Sequence, residues 1–234
     1  MHGPAHNLAA LAVCFCLILL SGCAQTFDST TNFLSSPWKK KPEELLNVKT
    51  PDDRVKELKE LAKAAKKKTP EEQQRSSDEL AKEIQKESDP MLRRQILRTL
   101  AEFPTPVALN VLKAGLRDGD ADVRVVACQS LGKRGGKEAV QELSGIVGSD
   151  TNLDVRIAAV RAMGQTKDAT ATSVLGDVLA DPDPALQYRA KESLRLVSGR
   201  DYGDDVQAWR QYAKTGQSDA PEISLTARVR RYFY

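Results

Sequence analysis

The sequence predicts an all-helical chain of stacked helix pairs, an α-solenoid, and three observations carry that reading. One helical segment recurs, with its first apolar anchor at Leu92, Val123, Val155 and Leu186, at steps of 31, 32 and 31 residues. Within each copy the apolar positions fall at 0, 4 and 8, which is one stripe of an α-helix. Ile96, Ala127, Ala159 and Ala190 take the second position, and Leu100, Leu131, Met163 and Leu194 the third. Aromatics are only 5% of residues, while charged residues reach 29%; with abundant Ala and Leu, this is a helical composition. A pair of helices this short cannot bury its apolar face alone, so neighbours must stack.

The elements follow in order. Thr50-Pro51-Asp52-Asp53 starts a helix, with a hydroxyl cap, proline at the first position and acids in the first turn; Val55, Leu58, Leu61, Ala62 and Ala65 share its apolar face. Thr69-Pro70-Glu71-Glu72 has the form of a capping box and opens the next, with Leu80 and Ile84 on the buried side. Second helices are expected near 90–103, 122–134, 154–167 and 184–198, two of them started by Asp89-Pro90 and Asp183-Pro184. Shorter first helices alternate with them at the same period, their core faces marked by Leu112 and Leu116, Leu143 and Val147, Leu175 and Leu179. A cap helix over 203–214, with Val206, Trp209 and Tyr212, closes a repeat domain of residues 50–215, and a tail of residues 216–234 follows.

These residues resemble the HEAT-like repeats of the bilin-lyase (PBS-lyase) type over residues 70–198, with outer helices at 51–67 and 203–214. The marks are Asp122-x-Arg124 and Asp154-x-Arg156, with Arg93 in the same column. The resemblance implies a right-handed α-α superhelix in which Arg93, Arg124 and Arg156 join a ladder of inter-repeat hydrogen bonds to nearby Asp residues. The fourth repeat departs, with Gln187 in the arginine column and Lys191 where Leu97, Cys128 and Val160 stand. That suits a terminal repeat with a less buried outer side.

Residues 1–22 have another character. A thirteen-residue apolar run, Leu8 to Leu20, is too short for an ordinary membrane span of about 20 residues and has the length of a secretory signal core. It ends in Leu20-Ser21-Gly22-Cys23, which resembles the lipobox of bacterial lipoproteins. The resemblance implies cleavage before Cys23 and two or three palmitate-type acyl chains on it, enough for stable anchoring where one chain is marginal. It departs from such signals in having no Lys or Arg in residues 1–7. An uncleaved short anchor is the other reading of the run, and either tethers the chain. Ala24, where many inner-membrane lipoproteins carry Asp, favours the outer membrane over the inner. Residues 23–49 read as the lipidated Cys and a polar linker, whose Trp38 and Lys39–Lys41 either meet anionic headgroups or are simply solvated.

Residue types narrow the chemistry. His2 and His6 are the only histidines and both precede Cys23, so the mature chain has none. Cys14 and Cys16 leave with the signal, and Cys128 sits alone on an apolar helix face as a small core residue. No Cys/His zinc site can be assembled, and neither Ser-His-Asp nor Cys-His catalysis has its base. No phosphate loop or dinucleotide fingerprint is present. The chain is therefore expected not to be an enzyme and to need no cofactor or metal. A net charge of +3 gives no reason to expect nucleic acid.

Charge is sorted by helix. Counted over 91–103, 122–134, 154–167 and 184–200 the second helices carry a net +9, and over 70–89, 105–118, 136–150 and 168–181 the first helices carry a net −8. If second helices line the concave face, as in the family, the groove is basic and attracts an acidic protein partner. Arg94, Arg98, Arg161, Lys167, Arg189 and Arg195 are its candidate contacts; a solvated helix surface would carry the same cations, and both readings stand. The C-terminal Arg228, Arg230 and Arg231 beside Tyr232, Phe233 and Tyr234 dock on a partner or fray. The expected function is a non-catalytic, membrane-tethered scaffold for protein–protein interaction in the bacterial cell envelope. The alternatives are a bilin-lyase-like enzyme or accessory, and a binder of an anionic envelope polymer or lipid headgroup.

Overall fold

The structure, a computed structural model, describes residues 50–224. Among them are ten α-helices: α1 (Pro51–Ala64), α2 (Pro70–Ile84), α3 (Pro90–Leu100), α4 (Pro106–Gly115), α5 (Ala121–Arg134), α6 (Lys137–Ser149), α7 (Leu153–Gln165), α8 (Ala171–Val178), α9 (Pro184–Ser198) and α10 (Val206–Thr215). A single 3₁₀ turn, Ala65–Lys67, continues α1.

Local chemistry sets most of the starts. Thr69 forms the full capping box: its Oγ1 accepts from the Glu72 amide at 3.3 Å, and its own amide donates to Glu72 Oε2 at 2.9 Å. Asp89, Asp120, Asn152 and Asp183 each accept a first-turn amide of α3, α5, α7 and α9. The cap helix begins at Val206, later than 203, because Asp205 takes the amides of Gln207 and Ala208. The first helix of the fourth repeat is short for a related reason: the Asp168 carboxylate holds the Thr170 amide at 2.9 Å in a turn, and α8 starts only at Ala171.

The helices stack in two rows. α1, α3, α5, α7 and α9 pack successively on one another, while α2 packs on α4, α6 on α8 and α8 on α10. The flanking helices are thereby half-repeats. Among the described residues α1 joins the row of second helices without a first-helix mate, and α10 joins the first helices without a second. This is an α-α solenoid, and its core lies between the rows. Ile96, Leu100, Ala127, Leu131, Ala159, Met163, Ala190 and Leu194 are fully buried there. Leu112, Leu143, Leu175 and Leu179 close it from the other row, also fully buried.

Small residues set the distance between successive second helices. A Cβ added at Gly132 would lie 2.7 Å from the Ala162 carbonyl oxygen, and one at Gly164 2.8 Å from Ser193 Cα. Each glycine sits nine residues after its repeat's first anchor and faces the small residue at the seventh place of the next helix. Two hydroxyls at that seventh place also reach back across the interface: Thr99 Oγ1 donates to the Leu58 carbonyl at 3.1 Å, and Ser193 Oγ to the Val160 carbonyl at 2.9 Å.

The fourth repeat ends the row with polar groups. Lys191 pairs with Asp204 at 2.9 Å, and residues 216–224 return over the same end, where the Ile223 amide donates to the Asp201 carbonyl at 2.8 Å. That segment falls in the stretch read from sequence as a tail; Arg228, Arg230, Arg231 and the three aromatics after them lie outside the described residues.

Helix spacing can be tested by glycine replacement. Gly132→Ala and Gly164→Ala each gain helix propensity of about 1 kcal/mol but force two backbones apart, an overpacking cost of about 1–3 kcal/mol. Both are expected to lower the thermal midpoint. Gly145→Ala on α6, where nothing lies within 4 Å of the added carbon, is expected to raise it. Melting followed by circular dichroism reads all three.

Candidate functional site

The second helices α3, α5 and α7 each put an arginine one residue past the first anchor, and an acid lies just past the end of each of the first helices α4, α6 and α8. Stacking brings the two together across repeats. Arg93 donates Nε and Nη2 to the Asp118 carboxylate at 2.9 and 2.8 Å, and Arg124 does the same to Asp150 at 2.7 and 3.1 Å. Arg156 pairs with Asp181 and also donates to the Val147 carbonyl at 3.0 Å. A further rung, not anticipated from sequence, joins Arg54 of α1 to Glu83 of α2. The acids are themselves fixed by local backbone, since Asp118, Asp150 and Asp181 each accept the amide two residues on at 2.9 Å. Asp122 and Asp154, two residues before an arginine, are not its partners; Asp122 instead meets Arg94 at 3.1 Å.

These contacts move the titrations. Burial pushes the Asp118 carboxyl up, but the hydrogen bonds from Arg93 and the Asp120 amide outweigh it and hold the group below its ordinary value. Asp150 is held low chiefly by its hydrogen bond from Arg124. In the fourth repeat Gln187 takes the neutral half of the role, donating to the Asp181 carbonyl at 2.7 Å just as Arg124 donates to that of Asp118.

The six candidate contact cations divide. Arg195 is committed internally: it donates to Asp201 at 2.8 Å and the Gly203 carbonyl at 2.8 Å, and pairs with Glu192. It is therefore removed from the candidate surface, and the reason is the loop after α9, which folds back onto the guanidinium. Arg94 gives one nitrogen to Asp122, and its Nε is buried without a hydrogen-bond partner. Arg189 lies 6.0 Å from the centre of the Tyr188 ring. Arg98, Arg161 and Lys167 are exposed and make no hydrogen bond or ion pair among the described residues. Lys167 adopts a left-handed backbone, φ 55°, just past the end of α7. Much of the sorted charge is thus internal, since Lys133 pairs with Glu102 and Arg134 donates to the Phe103 and Thr105 carbonyls at 2.7 and 2.9 Å.

Residues missed from sequence complete the face. Aligning α1 with the other second helices puts Lys59 in the column of Arg98 and Arg161, and Val55 in that of Val125, Ile157 and Tyr188. Exposed apolar side chains lie on the same row: Leu196 is 63% exposed and Tyr188 55%. Extending the repeat alignment one unit earlier would have found Lys59.

Burial pushes the Cys128 thiol up to about 12, so it is held as the neutral thiol. Among the described residues no group of three His, Cys, Asp or Glu could hold a metal ion, and no helix is long and apolar enough to cross a membrane. Cys23 and the apolar run before it, read from sequence as a signal, lie outside the described residues.

The family model for HEAT repeats matches residues 76–157 and 109–195, together just over half of the chain. Among solved structures, human deoxyhypusine hydroxylase in complex with glycerol is 22% identical with a TM-score of 0.48; the match covers 53% of this chain and 43% of that one, so the chain spans less than half of the hydroxylase. The complex of CpcE and CpcF of phycocyanin lyase from Nostoc sp. PCC7120 is 19% identical with a TM-score of 0.45, covering 76% of this chain and 77% of that one. No curated protein matches the sequence. One expectation is corrected by these structures. The lack of histidine in the mature chain led to the expectation of no enzyme, but the structures similar in fold include a hydroxylase and lyase subunits, so that exclusion does not stand. Its physical weakness is that a residue inventory removes only those mechanisms that need the missing residues.

The ladder predicts an acid response. Because the folded Asp150 carboxyl sits below its unfolded value near 4, the stability it adds is complete above that pH and is lost as pH falls through the lower folded value. Asp150→Asn is expected to melt lower than the parent at neutral pH and to lose less on acidification from about pH 4.5 to about pH 2.5. Arg124→Ala leaves a nearly buried carboxylate, 6% exposed, without its cation; it is expected to cost about 3 kcal/mol in urea unfolding at pH 7.

Proposed function

The chain belongs to the HEAT-repeat family, and on that premise we propose that it is a membrane-tethered scaffold that gathers an acidic protein partner in the bacterial cell envelope. HEAT repeats generally mediate protein–protein interaction, since their stacked helices offer extended surfaces. The observation that carries the reading is on the row of second helices: Arg98 and Arg161 are exposed cations without internal partners, beside the half-buried Val125 and Ile157 and the exposed Tyr188. Cations interleaved with apolar side chains favour an acidic, partly apolar protein surface, whose approach the field would speed. The tether rests on Leu20-Ser21-Gly22-Cys23, with acylation of Cys23 as its chemistry, and Ala24 favours the outer membrane.

Two measurements test the two halves. Growth with a clickable fatty acid is expected to label the parent chain and not Cys23→Ala; an unlabelled parent would remove the lipid anchor. Cross-linking on whole cells, followed by mass spectrometry, is expected to give a stoichiometric protein partner whose recovery drops at least about fivefold with Arg98→Glu and Arg161→Glu together. Unchanged recovery would remove the basic face.

A further inference from the structure

Between α1, α3 and α5 the row of second helices opens a depression of about 420 Å³. Lys59 and Lys63 of α1, Arg98 of α3 and Lys133 of α5 line it, against a single carboxylate, Glu102. That carboxylate is taken by Lys133, and Lys63 is turned to Glu60 at 2.7 Å on its own helix. Lys59 and Arg98 are left. They occupy the same column on adjacent helices, and neither makes a hydrogen bond or ion pair among the described residues. Gathering cations in one depression without their anions is unfavourable unless a negative group joins them. Burial, and secondarily the neighbouring Arg94, lower the pKa of Arg98, which is the direction an unmatched guanidinium takes.

The depression has a floor as well as a rim. Ala62 and Ala101 stand at the position that glycine holds in the next two second helices, so the floor is small and apolar. Gln95, Gln129 and Ser130 add amide and hydroxyl groups around it. Further along the row the cation column is broken by Gln129 and then by Glu192, so the crowding is local to the first three second helices.

We propose that this depression seats an acidic peptide segment, with carboxylates of successive side chains paired to Lys59 and Arg98 over the alanine floor. This rests on the reading of the row as a partner surface and says where on it the acidic partner is gripped. A peptide is favoured over a lone anion because the two free cations belong to different helices, whose axes stand about 8–10 Å apart. The apolar floor and the volume also suit several side chains better than one hydrated ion.

Fluorescence anisotropy of labelled hexaglutamate with the purified full chain in detergent tests it. The peptide is expected to bind at low salt and to release as salt rises. Arg98→Glu and Lys59→Glu are each expected to weaken binding at least about tenfold, whereas Lys137→Glu on α6, an equal change of net charge, should alter it less than about twofold. Equal weakening by Arg98→Glu and Lys137→Glu would show attraction to net charge alone and overturn the site. So would the absence of binding, or displacement by inorganic phosphate at a concentration equal to that of the peptide. Each of those results would leave the scaffold reading standing, because that reading is decided by recovery of a partner from whole cells.

Discussion

Everything else in the fold is hung on the arginine–carboxylate contact between one repeat and the next. Hydrophobic burial is non-directional and would accept a slid or rotated neighbour. Arg93, Arg124 and Arg156 accept only one placement, because each must meet an acid in the following repeat and backbone carbonyls at the turn between its two helices. The acids are pinned by the amides two residues beyond them, so both partners arrive preorganised. Such pairs are a weak source of net stability and a strong source of specificity, since loss of one member strands the other in a desolvated site.

The same contact explains why the exposed charge is smaller than the sequence charge. Arginines of the ladder, Arg134 at the end of α5, which reaches the turn after α3, and Arg195 of α9 are all held by internal partners. On the row of second helices the unpaired exposed cations are few, and they share it with exposed and half-buried apolar side chains. A face of this kind resembles the rim and core of a modest protein interface more than the uniformly basic groove that counting suggests.

How much of this was readable depends on the periodicity of the signal. Leu92, Val123, Val155 and Leu186 announce both helix and stacking, because burial repeats at a fixed phase. Gly132 and Gly164 are harder to interpret: a glycine within a helix can mean close approach or mere tolerance, and only the backbone of Ala162 and of Ser193 settles it. The acid half of the ladder was hidden for another reason. Its members lie about 25 residues from their arginines, at the far end of a different helix, while Asp122 and Asp154 offer themselves next door. Rung and row were likewise missed at α1, where the charged face of a terminal helix masks the repeat. Arg195 was misjudged because its partners come from an irregular loop that carries no period.

The two half-repeats have a consequence for solubility. Among the described residues α1 has no first-helix mate and α10 no second, an arrangement in which one copy could extend another through a head-to-tail contact that never closes. Charge stands in the way at both ends. On α1 the exposed Lys56 is matched along the helix to Asp53, and on α9 Lys191 pairs with Asp204 at the end where residues 216–224 return. An incoming copy would have to strip water from these groups with nothing to replace it. Among the described residues the array thus ends in hydrated, paired charge, which opposes such growth.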